Sequence, residues 1–262
     1  MSYSAWMVLA ALASLLWAAA RSTSRRGLGD ALNAHALAAG CAALLGRVFF
    51  AGLNDAYFAE HPAEILDFAR TPGFSVQGAL IGFLLALMVL NNRPAWRDGL
   101  AVAPLLAGLA ASLGCIDAGC GAGREVFWTD GALWALRVDW PDAILTRAPR
   151  LPSQGLLALW LLASLAVLRV WRPNGPNWLA AAAAGLCAAG DLLTQFTRAE
   201  SAFFWSGLAI EQWLDVAILC AFVALVFLHT RPANGRGSGG ARERDRESTH
   251  SHATHARASV PD

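Results

Sequence analysis

Charge is what this sequence has least of. Charged residues fill 15% of its 262 positions, against roughly 25% in ordinary soluble domains. With a mean hydropathy of +0.44, such a composition excludes an ordinary soluble domain and points to lipid. Lysine is absent: all 20 basic residues are arginine, a coding bias that we give no functional weight. The formal net charge is only +1, and no basic patch of the kind that addresses nucleic acid occurs. No internal repeat is visible, which counts against a transporter built from related halves. Metal ligands are too few for a metal site, and no cofactor is implied.

What is present is apolar. Hydrophobic residues make up 56% of the chain, gathered into seven long runs. They are roughly Ser4–Ala20, Leu32–Leu53, Ser75–Leu90, Leu100–Ile116, Gln154–Val170, Trp178–Thr194 and Leu208–His229. Lipid offers no partner for backbone N–H and C=O groups, so runs of this length predict spanning helices. The expected fold is all-α, a polytopic membrane protein of about seven transmembrane helices.

Arginine sets the expected orientation. Arg21, Arg25 and Arg26 follow the first run, which holds that end in the cytoplasm and the N-terminus outside. Charge that follows the run also argues against a cleaved signal peptide. Arg93, Arg97, Arg169, Arg172 and Arg231 then fall on the cytoplasmic side, as does the C-terminus. Residues 1–230 form one membrane domain on this reading. Residues 231–262 form a disordered cytoplasmic tail of Gly, Ser, Arg and acids, in which His250, His252 and His255 suit weak metal binding at most.

Two outer loops are more than connectors. Residues 54–74 carry Tyr57, Phe58, Ile65, Leu66 and Phe68, the makings of a short amphipathic helix lying among headgroups. Residues 115–150 carry Arg124, Arg137, Arg147 and Arg150 on the side where arginine is disfavoured. A folded outer segment escapes that rule in part, and an anion site is a second reason to place arginines there.

Arg47, Asp191, Arg198, Glu211 and Asp215 lie in or beside apolar runs. Arginine at a helix centre costs about 2.5–3.5 kcal/mol on insertion scales, so each calls for a partner. Glu211 and Asp215 share one helix face, with Arg198 or Arg47 as expected partners. Arg47 either snorkels outward or faces a cavity.

Three stretches suggest chemistry. In "FSVQGALIG", residues 74–82, Gly78 and Gly82 form a small face for close helix approach, and Gln77 places a polar group at the helix mouth. In "APRLPSQ", residues 148–154, Arg150 stands just outside a helix that opens with Pro152, Ser153 and Gln154. A helix N-terminus with an arginine beside it suits a phosphate, and at this membrane face the available phosphate is a phospholipid headgroup. A plain N-cap with a snorkelling arginine accounts for the same residues. The third stretch, "GCIDAGCGAGRE", residues 114–125, is a glycine-rich elbow with two thiols. Cys115 and Cys120 are either free or joined, if the elbow brings their Cα atoms within reach. Cys41, Cys187 and Cys220 read as small apolar fillers.

The order of these pieces resembles the prolipoprotein diacylglyceryl transferases of bacterial inner membranes, over about residues 1–230. That family's third helix opens with His-Gly-Gly-Leu-Ile-Gly; this chain has Gln77, Gly78, Ala79, Leu80, Ile81 and Gly82. The family's signature loop ends its fourth helix, and Gly114, Cys115, Cys120 and Arg124 fall there, in the manner of a branch that writes the elbow with cysteine. The fifth helix opens with Arg-His-Pro-Ser-Gln, matched by Arg150, Leu151, Pro152, Ser153 and Gln154. A Gly-Arg pair of the second helix corresponds to Gly46 and Arg47, and a glutamine of the last helix to Gln212.

The resemblance implies transfer of a diacylglyceryl group from a phosphatidylglycerol-like phospholipid to a prolipoprotein cysteine thiol, with release of glycerol phosphate. It implies a substrate site of Arg47, Gly78, Gly114, Cys115, Cys120, Arg124, Ser153 and Gln154, with Gln77, Arg150 and Asp117 as the catalytic candidates. The member is divergent: Gln77 replaces the family histidine that helps deprotonate the thiol, Ser112 replaces an arginine, and Cys120 replaces a glutamate of the loop. A thiol acceptor softens the loss of a base, because part of it is already thiolate near neutral pH. Asp117 and His61 are the substitute bases that sequence alone suggests. The alternative is a non-catalytic relative that binds phospholipid or a membrane partner through the same cavity.

Overall fold

The computed structural model describes residues 3–21, 25–67, 73–90, 100–142, 144, 146–170, 178–199 and 204–230. The described residues are mostly helical. Each of the seven apolar runs becomes one long helix: α1 (Tyr3–Arg21), α2 (Arg25–Leu53), α4 (Val76–Val89), α5 (Ala103–Ala118), α6 (Ser153–Val170), α7 (Trp178–Gln195) and α8 (Ile210–Thr230), with a short α3 (Asp55–Glu60) after α2. Two helices, Leu28–Leu53 and Ser153–Val170, are long and apolar enough to cross a membrane on that evidence alone.

The chain divides into two compact units, Met1–Phe222 and Val223–Asp262. The described residues of the second unit, 223–230, are the last turns of α8. The expected tail, 231–262, lies outside the described residues, as do Phe68, Arg93, Arg97 and Arg172.

Helix ends follow the local chemistry. Ser75 takes extended backbone angles ahead of α4, and its hydroxyl accepts the Gly78 N–H at 3.2 Å, a use to which serine is well suited. α5 stops at Gly119, whose φ of 74° is left-handed and suits glycine. Pro152 sits immediately before α6, and its carbonyl accepts the Leu156 N–H at 2.8 Å.

Small residues let the helices close on one another. A Cβ on Gly78 would strike the Leu45 carbonyl and Phe49, and one on Gly82 would strike the Cys41 carbonyl. The close approach expected of that pair is therefore made by α4 against α2. On α7, Ala180, Ala182, Ala183, Ala184 and Ala188 are all buried. Gly190 of α7 lies under the Trp160 ring of α6, whose indole N–H donates to the Leu186 carbonyl at 2.7 Å. α1 is pinned to α2 by Ser14 and His35, 3.0 Å apart, and to α5 by Trp6 donating to Asp117 at 2.9 Å. Leu16, Met88, Val89 and Val170 face outward and exposed, as lipid-facing side chains do.

The loop after α2 is partly folded. α3 and a single 3-10 turn, Pro62–Ile65, follow α2. Phe58 is buried while Tyr57 and Leu66 are exposed, so the aromatics divide between anchoring the loop and facing outward. The second loop forms a longer 3-10 segment, Trp128–Leu136, and leaves Phe127, Trp128, Trp140 and Ile144 exposed.

Candidate functional site

The glycine elbow is stitched to two helices at once. Its backbone leaves α5 through Gly119 and turns again at Gly121, which has a φ of 61°. Cys115 and Cys120 are joined as a disulfide, with Cα atoms 4.7 Å apart, so the elbow does bring the thiols together. From there the chain runs beside the start of α6 and the end of α7. Arg124 N–H donates to the Thr197 carbonyl at 2.8 Å, the Arg124 carbonyl accepts from Leu151 at 3.1 Å, and Ala199 N–H donates to Ala122 at 3.0 Å. Glycine is required at position 123, where any Cβ would strike the Leu151 carbonyl.

An open hollow forms under this stitching. Cys115, Cys120, Gly121, Arg150, Ser153 and Gln154 line it, with Trp140 at one wall. Five expected site residues, Cys115, Cys120, Arg150, Ser153 and Gln154, therefore come together. Gly114, one residue before Cys115, is buried in α5. The Gln154 amide reaches the Gly121 carbonyl at 3.4 Å. Ser153 donates to the Thr197 carbonyl at 2.9 Å and accepts the Thr197 hydroxyl at 2.7 Å.

The three arginines of the expected site, Arg47, Arg124 and Arg150, have different surroundings. Arg150 is mostly enclosed; its Nη2 meets Glu125 at 3.0 Å and Asp142 at 3.1 Å, while its Nε has no partner. Glu125 is about half exposed, so its hold on Arg150 is weak. The Arg124 side chain is exposed beside the elbow. Arg47 is 1% exposed and lies in the first loop's interior. Its guanidinium donates to the carbonyls of Ile65 (2.6 Å), Glu64 (2.7 Å) and Gly73 (3.1 Å), and stacks by Phe50 and Phe58. Arg47 neither snorkels nor faces an open cavity; it ties the loop after α2 to that helix. In that loop the Glu64 carboxylate, accepting the Tyr57 hydroxyl at 2.7 Å, pushes the phenol above its ordinary pKa.

Gln77 opens onto a second polar centre. Its amide nitrogen donates to Asp191 at 2.6 Å and to Asp215 at 3.2 Å. Gln195 donates to the same two carboxylate oxygens, at 2.8 and 2.9 Å. Arg198 Nη2 meets the other Asp191 oxygen at 3.0 Å. Asp191 is 1% exposed and Asp215 0%. The partner of Arg198 is thus Asp191, rather than Glu211 or Asp215 as their helix face suggests. This centre borders the stitching, because Arg198 pairs with Gly123 of the elbow.

Sequence reasoning marks Asp191, Arg198 and Asp215 as costly charges but does not gather them around Gln77. The signal for part of it is present: Asp191, Gln195 and Arg198 stand at helical spacing along the end of α7. Asp117, a suggested substitute base, is instead on the α1 side, held by Trp6. His61 is exposed and stacked on Tyr57.

Outward-facing apolar helices around an enclosed polar centre, with a folded elbow over one end, define a helical membrane protein. Residues 1–228 match the prolipoprotein diacylglyceryl transferase family (LGT), and the chain belongs to it. No curated protein matches the chain. Members of that family work in a membrane, on a phospholipid and a prolipoprotein.

Proposed function

We propose that this chain transfers a diacylglyceryl group from a phosphatidylglycerol-like phospholipid to a prolipoprotein cysteine at the outer leaflet of a bacterial inner membrane. The thiolate sulfur attacks the lipid's glyceryl carbon, a C–S bond forms, the C–O bond to phosphate breaks, and glycerol phosphate leaves. In this proposal the chain crosses the membrane seven times, with the N-terminus outside and residues 231–262 as a cytoplasmic tail beyond a transferase domain of residues 1–230.

The reading is supported above all by the hollow that joins the elbow to the Arg150–Gln154 segment, in a chain of this family. Arg150 is assigned to the lipid phosphate, with Arg124 beside it as a second cation and the Ser153 hydroxyl and Gln154 amide as neutral partners. Gly114, Cys115 and Cys120 shape the elbow that closes over the headgroup. Gly78 sets the position of Gln77. Arg47 serves the site at one remove, by fixing the first outer loop. Asp117 lies at the end of α5 and holds α1.

The test is transfer of label from phosphatidylglycerol to a lipobox peptide by the purified full chain in lipid vesicles. Transfer that falls at least tenfold with Arg150→Met supports the reading. Absence of transfer by the wild-type protein, with phospholipid still bound, would instead favour a non-catalytic relative that binds lipid.

A further inference from the structure

Gln77 has no donor left for a substrate. Its oxygen accepts the Ser75 hydroxyl at 3.0 Å, and its two amide hydrogens go to Asp191 and Asp215. An amide is also no base. Gln195 repeats the pattern from α7, so two side-chain amides bracket two carboxylates and fix which oxygens each uses. The second oxygen of Asp191 belongs to Arg198. The second oxygen of Asp215, Oδ1, is fully enclosed and accepts nothing, and neither does Oε1 of Gln195.

Two properties of this centre select its ligand. Two carboxylates face one guanidinium, so the centre does not suit an anion such as a phosphate. Its enclosed oxygens without partners, Asp215 Oδ1 and Gln195 Oε1, call for a hydrogen-bond donor, and Arg198 Nε, also without a partner, calls for an uncharged acceptor beside it. A neutral group with a labile hydrogen fits both conditions; a thiol is one.

We propose that Asp215 is the proton acceptor of the transfer, and that Gln77, Gln195 and Asp191 are positioning residues that hold it. This rests on the transferase reading above. The S–H bond of the acceptor cysteine breaks heterolytically, its proton passes to Asp215 Oδ1, and the electron pair stays on sulfur. Sulfur then displaces the phosphate oxygen from the glyceryl carbon, and the proton leaves with the released glycerol phosphate. The thiol approaches past Gln195 and Arg198, the half-buried members of the group, whose neighbour Thr197 is bonded to the elbow and to Ser153.

The experiment pairs kinetics with infrared difference spectroscopy on the full chain in phosphatidylglycerol vesicles. Asp215→Asn should lower kcat by about 10²–10⁴, the usual worth of a general base, with KM for lipid unchanged. Asp215→Glu should restore part of the rate. Adding a lipobox peptide should produce a protonated-carboxyl band in the wild-type protein, absent in Asp215→Asn and absent when serine replaces the peptide's cysteine. Transfer by Asp215→Asn at the wild-type rate overturns the proposal, and so does a bound peptide that produces no band. Wild-type protein that shows the band but transfers no label keeps the proton acceptor and removes the transferase reading. Should Asp215→Asn fail to fold, Asp215→Glu and the wild-type band decide.

Discussion

The hydroxyl of Thr197 donates to the hydroxyl of Ser153 across 2.7 Å, and Ser153 returns a bond to the Thr197 carbonyl at 2.9 Å. This reciprocal pair ties the end of α7 to the first turn of α6, where the elbow crosses both. Ser153 is 1% exposed, so its loss leaves the Thr197 carbonyl without that donor. The Thr197 carbonyl keeps the Arg124 N–H, so Ser153→Ala should cost about 0.5–1.5 kcal/mol. It should show as a lower midpoint of thermal unfolding in detergent, with faster hydrogen exchange at Arg124 and Ala199, whose N–H groups bond within the same stitching.

The Cys115–Cys120 disulfide gives a direct chemical prediction. Under denaturing but non-reducing conditions, alkylation should modify Cys41, Cys187 and Cys220 only. After reduction all 5 cysteines should react. The bridge closes a short loop, with a sequence separation of 5. Its removal by the double serine variant should therefore cost only about 2 kcal/mol by the chain-entropy relation. Five modified thiols before reduction would refute the bridge.

Contact between α2 and α4 predicts a contrast between glycines. At Gly82 a new Cβ meets backbone atoms of Cys41 and Ala42, which have no freedom to step aside, whereas Gly40 of α2 has nothing within 4 Å of such an atom. Gly82→Val should destabilise by about 1–3 kcal/mol, the range for overpacking. Gly40→Ala should be tolerated. Equal unfolding midpoints for the two variants would mean that the helices do not meet there.

Arg47 predicts a failure of conservative replacement. Its three bonded nitrogens reach three separate backbone carbonyls in the loop after α2, a fork that the compact ammonium of lysine does not reproduce. Arg47→Lys should thus lose most of what Arg47→Met loses. Limited proteolysis near residues 60–67 should speed up in both. A lysine variant as resistant as wild type would show that charge alone anchors the loop.

Much of the fold was legible because lipid enforces it. A run such as Gln154–Val170 has no alternative to helix in a bilayer, and α6 matches it to within a residue. The Gly78 and Gly82 spacing announced a close helix pair, and the elbow's glycines announced turns that Gly119 and Gly121 make. The hollow was half legible: Arg150, Ser153 and Gln154 lie within five residues of one another, so local order suffices to group them. The centre around Gln77 was not. Its members come from α4, the end of α7 and the start of α8, and only packing decides which carboxylate meets which amide. The place of Arg47 is hidden for a related reason. An arginine beside apolar residues invites a search for water or anions, but here a neighbouring loop supplies carbonyls, and sequence gives no measure of how far that loop folds back.

The wall between α2 and α4 has a further meaning for traffic. At Gly78 and Gly82 the two backbones leave no space for even one added carbon atom. A hydrocarbon tail is wider than that, so no lipid slips sideways through this side of the protein at that depth. Whatever door admits a fatty guest, or lets a tethered product drift away, opens elsewhere around the perimeter.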